Sequence, residues 1–142
     1  MQTYIGVKCV KAEPMTKNGV DGYEVLYPDG YKSWSPKNVF ESAYFPIEQE
    51  DRLTSNDIDN FLNKSEISSY QGDPKTTVLR VLTPTGFVTW DFASCIDPKN
   101  YDEAIGCNIA LSRVKNKIWE LLGFVLQWGA YGLTDIKTKT AK

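Results

Sequence analysis

Residues 76–92 read TTVLRVLTPTGFVTWDF, and residues 101–127 read YDEAIGCNIALSRVKNKIWELLGFVLQ. The first stretch consists of two segments separated by a Pro-Thr-Gly turn. In each segment every second residue belongs to the same face, which is typical of two antiparallel strands. In the second stretch, apolar residues recur every three or four positions, which indicates an amphipathic helix. Together they predict an α+β fold in which one long C-terminal helix packs on a small antiparallel sheet built from hairpins.

The long helix has a predicted start and a predicted sheet-facing side. Asn100 can cap its first turn, and Glu103 can reach back to the Asn100 amide as in a capping box. The helix is expected to end before Gly129. Eight apolar residues form the face expected to meet the sheet: Cys107, Ala110, Leu111, Val114, Ile118, Leu121, Leu122 and Val125. Ile105 and Ile109 lie on the opposite side, where another part of the chain or a second copy would cover them.

The first part of the chain predicts a second hairpin followed by a short helix. Weak alternation over residues 2–12 is typical of an edge strand, and residues 22–27 and 31–34 flank a Pro-Asp-Gly turn. Ser35 is the expected N-cap of the short helix, with Pro36 as its first residue.

An acidic, irregular stretch at residues 46–54 predicts the boundary between two modules. After it, Ser55 is the expected cap of another short helix, and residues 68–74 are expected to form a loop. We therefore predict three parts: an N-terminal hairpin–helix module at 1–47, an α+β domain at 55–133 and a flexible tail at 134–142.

The composition excludes several classes of site. The chain has 142 residues and no histidine, which excludes a Ser-His-Asp triad, a Cys-His pair and histidine-ligated zinc. Its three cysteines form no CxxC pair and are interpreted as reduced thiols: Cys9, Cys95 and Cys107. No pattern predicts a metal site or a cofactor.

Charge and hydropathy narrow the expected partners and location. The net charge of −2 does not favour binding to duplex nucleic acid, because proteins that contact many phosphates carry a basic surplus. There is no apolar stretch long enough to span a membrane and no signal-peptide pattern at the N-terminus. We therefore expect a cytoplasmic protein without a membrane partner.

Residues 78–126 contain a series of short motifs with a characteristic joint spacing: Thr85-Gly86-Phe87, Ser94-Cys95-Ile96-Asp97-Pro98, Asn100-Tyr101-Asp102, Ile105-Gly106, Ile109-Ala110, Lys117-Ile118-Trp119 and Gly123-Phe124. In these motifs the segment resembles the phage gp-forty-nine family of small bacteriophage proteins. The first half of the chain resembles a module that precedes this domain in some phage and prophage proteins.

Some members of this family resemble the Thoeris anti-defence sponges of family one, which hold a signalling nucleotide of bacterial immunity without cleaving it. The resemblance implies a cyclic ADP-ribose isomer or a cyclic oligonucleotide as ligand, assembly as a dimer or larger ring, and the host cytoplasm as location. This chain departs from its relatives after Ile105-Gly106, where Cys107 and Asn108 stand in place of the usual basic residues.

A nucleotide sponge needs an aromatic ring to stack on a base and cations to hold phosphate. Phe87 or Trp90 is expected to stack, Arg113 and Lys117 to meet the phosphates, and Asn100 to bind a ribose or base edge. The alternative interpretation is structural, with the aromatic rings in the core and the two cations on a self-paired helix surface. Because one small chain has little depth for a pocket, the site is expected between protomers.

Two other function classes remain open. An enzyme would use four carboxylates, which are explained more simply by hairpin pairing, a turn and helix capping: Asp91, Asp97, Asp102 and Glu103. In that simpler interpretation, Asp91 pairs with Arg80 across the hairpin. The other alternative is a phage inhibitor that binds a host protein directly through the acidic stretch from Glu48 to Asp59.

Overall fold

The computed structural model describes residues 1–134 and residue 136. They form two compact units, a first unit with Met1–Arg52 and the described residues from Phe124 onward, and a second unit with Leu53–Gly123. Each unit contains one antiparallel three-stranded sheet, so the predicted α+β class is confirmed. The last turns of the long helix belong to the first unit, unlike in the predicted division. The predicted tail at 134–142 lies almost wholly outside the described residues.

The first unit has the strand order β1-β2-β3. Its elements are β1 (Lys11–Pro14), β2 (Gly22–Leu26), β3 (Lys32–Pro36) and α1 (Lys37–Ala43). The strand predicted at residues 2–12 was wrong in extent, because β2 ends where the turn closes from Tyr27 to Tyr31 and leaves nothing to pair with residues before Lys11. Instead, the Cys9 amide donates to the Gly129 carbonyl.

Aromatic side chains pack against one another in this unit, in which Val25 is buried. The ring of Phe40 in α1 lies 4.5 Å from the Tyr23 ring and 4.8 Å from the Tyr44 ring. The predicted cap of α1 was wrong, because Ser35 lies in β3 and its side chain caps no helix amide. Pro36 takes the N-cap position without a side-chain bond, so the aromatic packing holds this short helix in place.

The second unit has the strand order β4-β5-β6. Its elements are α2 (Ser55–Asn63), β4 (Glu66–Asp73), β5 (Thr76–Leu82), β6 (Val88–Ser94), a 3-10 turn (Pro98–Asn100) and α3 (Glu103–Tyr131). The loop predicted at residues 68–74 was wrong. Residues 68–73 lie in β4, where Ser69 pairs with Leu79 across the sheet. The sequence of β4 is typical of a loop because the strand is exposed on both faces and its residues are mostly polar.

Both helix starts differ from the prediction by one or two residues. Thr54, and not Ser55, caps α2, and its side chain and that of Asp57 form a reciprocal capping box. The Asp102 carboxylate accepts from the Ile105 amide at the start of α3. Asn100 instead ends the 3-10 turn, so the predicted capping box with Glu103 does not form.

The core of the second unit lies between the sheet and its helices. Leu79, Val81 and Ala93 are buried on the sheet side, and Ile58, Phe61 and Leu62 are buried on α2. From α3, Ala110, Val114 and Ile118 are completely buried, as predicted. Two other residues of the predicted face remain exposed, Leu121 by 42% and Val125 by 45%, so the buried stripe is shorter than expected.

Candidate functional site

Two cations of α3 meet the outer edge of β6. The Arg113 guanidinium donates to the Phe92 carbonyl at 2.6 Å, and the Lys117 ammonium donates to the Trp90 carbonyl. Both cations also approach one carboxylate, because Asp91 lies 3.9 Å from Arg113 and 3.1 Å from Lys117. Arg113 and Lys117 are four residues apart on the helix, so both side chains reach the same strand.

This arrangement blocks an exposed sheet edge and shifts the titration of Asp91. Edge strands offer unpaired backbone groups, and charged side chains laid across them prevent pairing with another strand. Burial raises the pKa of the Asp91 carboxyl, but the Phe92 amide, Lys117 and Arg113 lower it by more. The net pKa lies below the usual value, so Asp91 carries its charge at neutral pH.

One carboxylate against two cations leaves a single positive charge at this edge. Arg113 is 53% exposed and Lys117 43% exposed, so a ligand in solvent can reach both. The predicted pairing of Asp91 with Arg80 was wrong. Neighbouring residues of a strand point to opposite faces, and Arg80 lies over the Trp90 ring at 5.8 Å on the other face of the sheet.

The two predicted stacking residues are exposed and do not belong to the core. Phe87 is 56% exposed beside the turn between β5 and β6, and Trp90 is 47% exposed in β6. The Trp90 carbonyl meets Lys117, while its ring lies on the face away from Asp91. The structure therefore brings Trp90, Arg113 and Lys117 to one edge, with the ring and the two cations on different sides of the strand.

Asn100 lines a separate cleft near the start of α3. This cleft has a volume of about 90 Å³, and Lys75, Cys95, Tyr101 and Ile105 are among its other lining residues. Sites for small organic ligands usually measure about 300–1,000 Å³, so the cleft within one chain is too small for a nucleotide. Among the described residues, no hydrogen bond or ion pair joins Asn100 to the two cations.

The four carboxylates considered for catalysis all have structural partners. Asp91 meets the two cations, Asp97 accepts from the Lys99 amide, and Asp102 caps α3. Glu103 accepts from the Ser69 hydroxyl. Within residues 1–134 and 136, no cluster of three or more metal-ligating side chains occurs.

The acidic stretch considered for protein binding contributes residues to both units and is partly engaged in each. Glu50 pairs with Lys11 at 3.0 Å, and Asp59 pairs with Lys115 at 3.3 Å. Asp57 is buried in the capping box of α2. Much of the predicted acidic surface is therefore neutralised or inaccessible.

One exposed aromatic residue of the second unit, Tyr70, was not among the predicted site residues. Tyr70 lies in β4 and is 51% exposed, on the same face of the sheet as Trp90 and Phe92. No alternation of apolar and polar residues signals this strand, because β4 is exposed on both faces and mostly polar.

A comparison with known families gives a match across the second unit. The model of the family described as "Phage protein (N4 Gp49/phage Sf6 gene 66)" matches residues 53–129. The chain belongs to this phage family. The match confirms the predicted phage resemblance and extends it towards the N-terminus to include α2 and β4 of this phage protein.

Two further comparisons return nothing for this phage protein. No curated protein matches it, and no solved structure matches it. Over the part of the chain that the structure describes, none of the helices has the length and apolar character needed to cross a membrane.

Proposed function

We propose that this phage protein binds an immune signalling nucleotide in the host cytoplasm and sequesters it without cleavage. The observation that carries the proposal is the edge of β6, where Arg113 and Lys117 converge with one excess positive charge beside the exposed Trp90. The ligand class is a cyclic ADP-ribose isomer or a cyclic oligonucleotide. Both carry phosphates for the cations and a base for an aromatic ring.

Each residue has a defined part in this proposal. Arg113 and Lys117 bind the phosphates from their exposed sides while Asp91 holds them in place. Trp90 or Phe87 stacks on a base, and the Asn100 amide binds a ribose or base edge, since it can both donate and accept.

The ligand is held between two copies of the chain. The cleft beside Asn100 measures about 90 Å³, so a second protomer must supply the remaining walls. Ile105 is 58% exposed and Ile109 43% exposed, and both line this cleft. An apolar pair on a helix surface is suited to contact with a second copy.

A sedimentation experiment tests the assembly. We expect the parent to sediment as a dimer or larger oligomer at micromolar concentration and Ile109→Glu to sediment as a monomer, because a buried carboxylate would lack a partner. Leu121→Glu, at an exposed position of the same helix, is the matched control and keeps the parent mass. A monomeric parent would contradict the proposed interface.

Ligand capture tests the function. Purified protein is incubated with cyclic ADP-ribose isomers and with cyclic oligonucleotides, washed and then heated. We expect intact nucleotide in the heat-released fraction and no hydrolysis product. If the parent retains none of these compounds, the proposed function is wrong.

Variants of the two cations test the site. Arg113→Ala is expected to weaken nucleotide binding by about 1.5–3 kcal/mol, the range for a hydrogen bond to a charged group, and Lys117→Ala acts in the same direction. Lys115→Ala is the control, because Lys115 lies on the same helix but pairs with Asp59. Equal affinity in the parent, Arg113→Ala and Lys117→Ala would exclude this edge as the binding site.

A further inference from the structure

The second sheet has one face that no element of its own unit covers. On the opposite face, Thr77, Leu79 and Val81 of β5 alternate as buried residues beneath α3. We call the exposed side the outer face. Its twelve residues form four rows across the strands: Glu66, Leu82 and Val88; Ser68, Arg80 and Trp90; Tyr70, Val78 and Phe92; Asp73, Thr76 and Ser94.

The outer face combines aromatic rings with one cation and with two carboxylates at its ends, those of Glu66 and Asp73. The exposed fractions are 51% for Tyr70, 47% for Trp90 and 58% for Phe92. Arg80 stands directly opposite Trp90 in the register and places its guanidinium 5.8 Å from the centre of that ring. Among the ion pairs of the described residues, none involves Arg80.

We propose that the outer face binds a short single-stranded nucleic acid, with bases stacked on Trp90, Phe92 and Tyr70 and one phosphate held by Arg80. A sheet with a helix on one face and exposed aromatic rings on the other is a known platform for unpaired bases. Every base has a flat π surface, so such stacking tolerates many sequences. This proposal shares Trp90 with the nucleotide site at the edge of β6 but rests on a different cation and on two further rings.

The size of the outer face favours this occupant over a second copy of the chain. Three strands of about seven residues cover roughly 300 Å², given the usual strand spacing and rise per residue. A stable protein interface buries about 800 Å² of accessible surface on each partner, so a second copy would have to extend beyond this face. Two or three stacked bases fit on a platform of this size.

The charge of the outer face predicts an unusual salt dependence. Arg80 is the single cation of the grid and can neutralise about one phosphate, so most of the affinity must come from stacking. A plot of the logarithm of the binding constant against the logarithm of the salt concentration is then expected to have a slope of about −0.7, the value for one phosphate of a single strand. Duplex nucleic acid has its bases covered and is expected not to bind.

Fluorescence anisotropy with labelled oligo-dT and oligo-U of about 12 nucleotides, within the usual site size, measures the binding directly. The two probes separate DNA from RNA as the source of the bases. Trp90→Leu and Phe92→Leu are each expected to weaken binding by about 5- to 150-fold. Tyr4→Leu is the matched control, because Tyr4 is 86% exposed and lies in the first unit.

Arg80→Gln tests the cation without removing a ring. It is expected to weaken binding and to bring the salt slope close to zero, whereas Arg52→Gln, at an exposed arginine of the first unit, changes neither. This variant also keeps the proposal testable if Trp90→Leu does not fold. Failure of the parent to bind either probe would overturn the proposal, as would unchanged binding in both Phe92→Leu and Arg80→Gln.

Further variants distinguish the two proposed sites. Arg113→Ala is expected to keep the oligonucleotide affinity of the parent, and Tyr70→Leu is expected to keep its cyclic nucleotide affinity. The opposite outcome is an oligomeric parent that does not bind oligonucleotide and that Tyr70→Leu and Phe92→Leu each convert into monomers. A second copy would then occupy the outer face, and the proposal would be wrong.

Discussion

The ammonium nitrogen of Lys117 lies 3.1 Å from Oδ2 of Asp91, and this ion pair joins the long helix to the edge strand of the second sheet. Only 15% of the Asp91 side chain is exposed, whereas Lys117 is 43% exposed. The carboxylate is therefore the inner partner and the cation the outer one. Asp91 both anchors α3 and holds Arg113 and Lys117 at the surface where a ligand can meet them.

Replacing Asp91 with Asn is expected to lower the free energy of unfolding by about 1–2 kcal/mol, because two cations lose the charge that holds them. Urea unfolding measures this change. The control is Asp59→Asn, whose ion pair with Lys115 is exposed on both sides and is expected to contribute less than about 1 kcal/mol. Equal losses in the two variants would contradict the anchoring role.

The contribution of Asp91 to stability is expected to disappear in acid. Although burial acts to raise the pKa of Asp91, its hydrogen bonds and the two cations lower that pKa below the unfolded value of about 3.9. The folded state therefore binds this proton less readily than the unfolded state, so the contribution is complete above the unfolded pKa and is lost as pH falls through the folded pKa.

Unfolding of the parent and Asp91→Asn is therefore compared at about pH 7 and at about pH 2. The difference in unfolding free energy should be present at the higher pH and strongly reduced at the lower one. A difference of equal size at both values would show that the charge of Asp91 does not stabilise the fold.

Ile118→Asp is expected to lower the free energy of unfolding by several kcal/mol, because Ile118 is completely buried and a carboxylate there would have no partner. Leu121→Asp, three residues further along α3, should cost much less because Leu121 is 42% exposed. Thermal melts of the two variants test which side of α3 meets the core. Similar melting temperatures for Ile118→Asp and the parent would place Ile118 outside the core.

Two glycines of α3 are expected to respond in opposite directions to alanine. A Cβ at Gly106 would collide with the side chain of Thr77, which is buried and donates to the Tyr101 hydroxyl. Gly106→Ala should therefore cost about 1–3 kcal/mol through overpacking. At Gly123 a Cβ meets nothing within 4 Å, so Gly123→Ala should stabilise the helix by about 0.5–1 kcal/mol. Urea unfolding that gives both variants the same sign would contradict this close approach.

Some parts of the fold could be predicted from the sequence because their signals are local. The hairpin of β5 and β6 follows from two-residue alternation around a Pro-Thr-Gly turn, and α3 follows from apolar residues at helical spacing. Ala110, Val114 and Ile118 are buried as that spacing predicts. The third strand, β4, was missed because an edge strand exposed on both faces has no apolar alternation to reveal it.

The candidate site was harder to predict because it depends on neighbours distant in the chain. The sequence by itself determined that aromatic rings, Arg113 and Lys117 are present and that both cations lie on one helix surface. Only the tertiary structure decided that Asp91 neutralises one of these charges, that Arg80 turns to Trp90, and that the aromatic rings stay exposed. The reason is physical: periodicity sets the direction of a side chain within its own element, whereas its partner and its burial are set by whichever element packs against it.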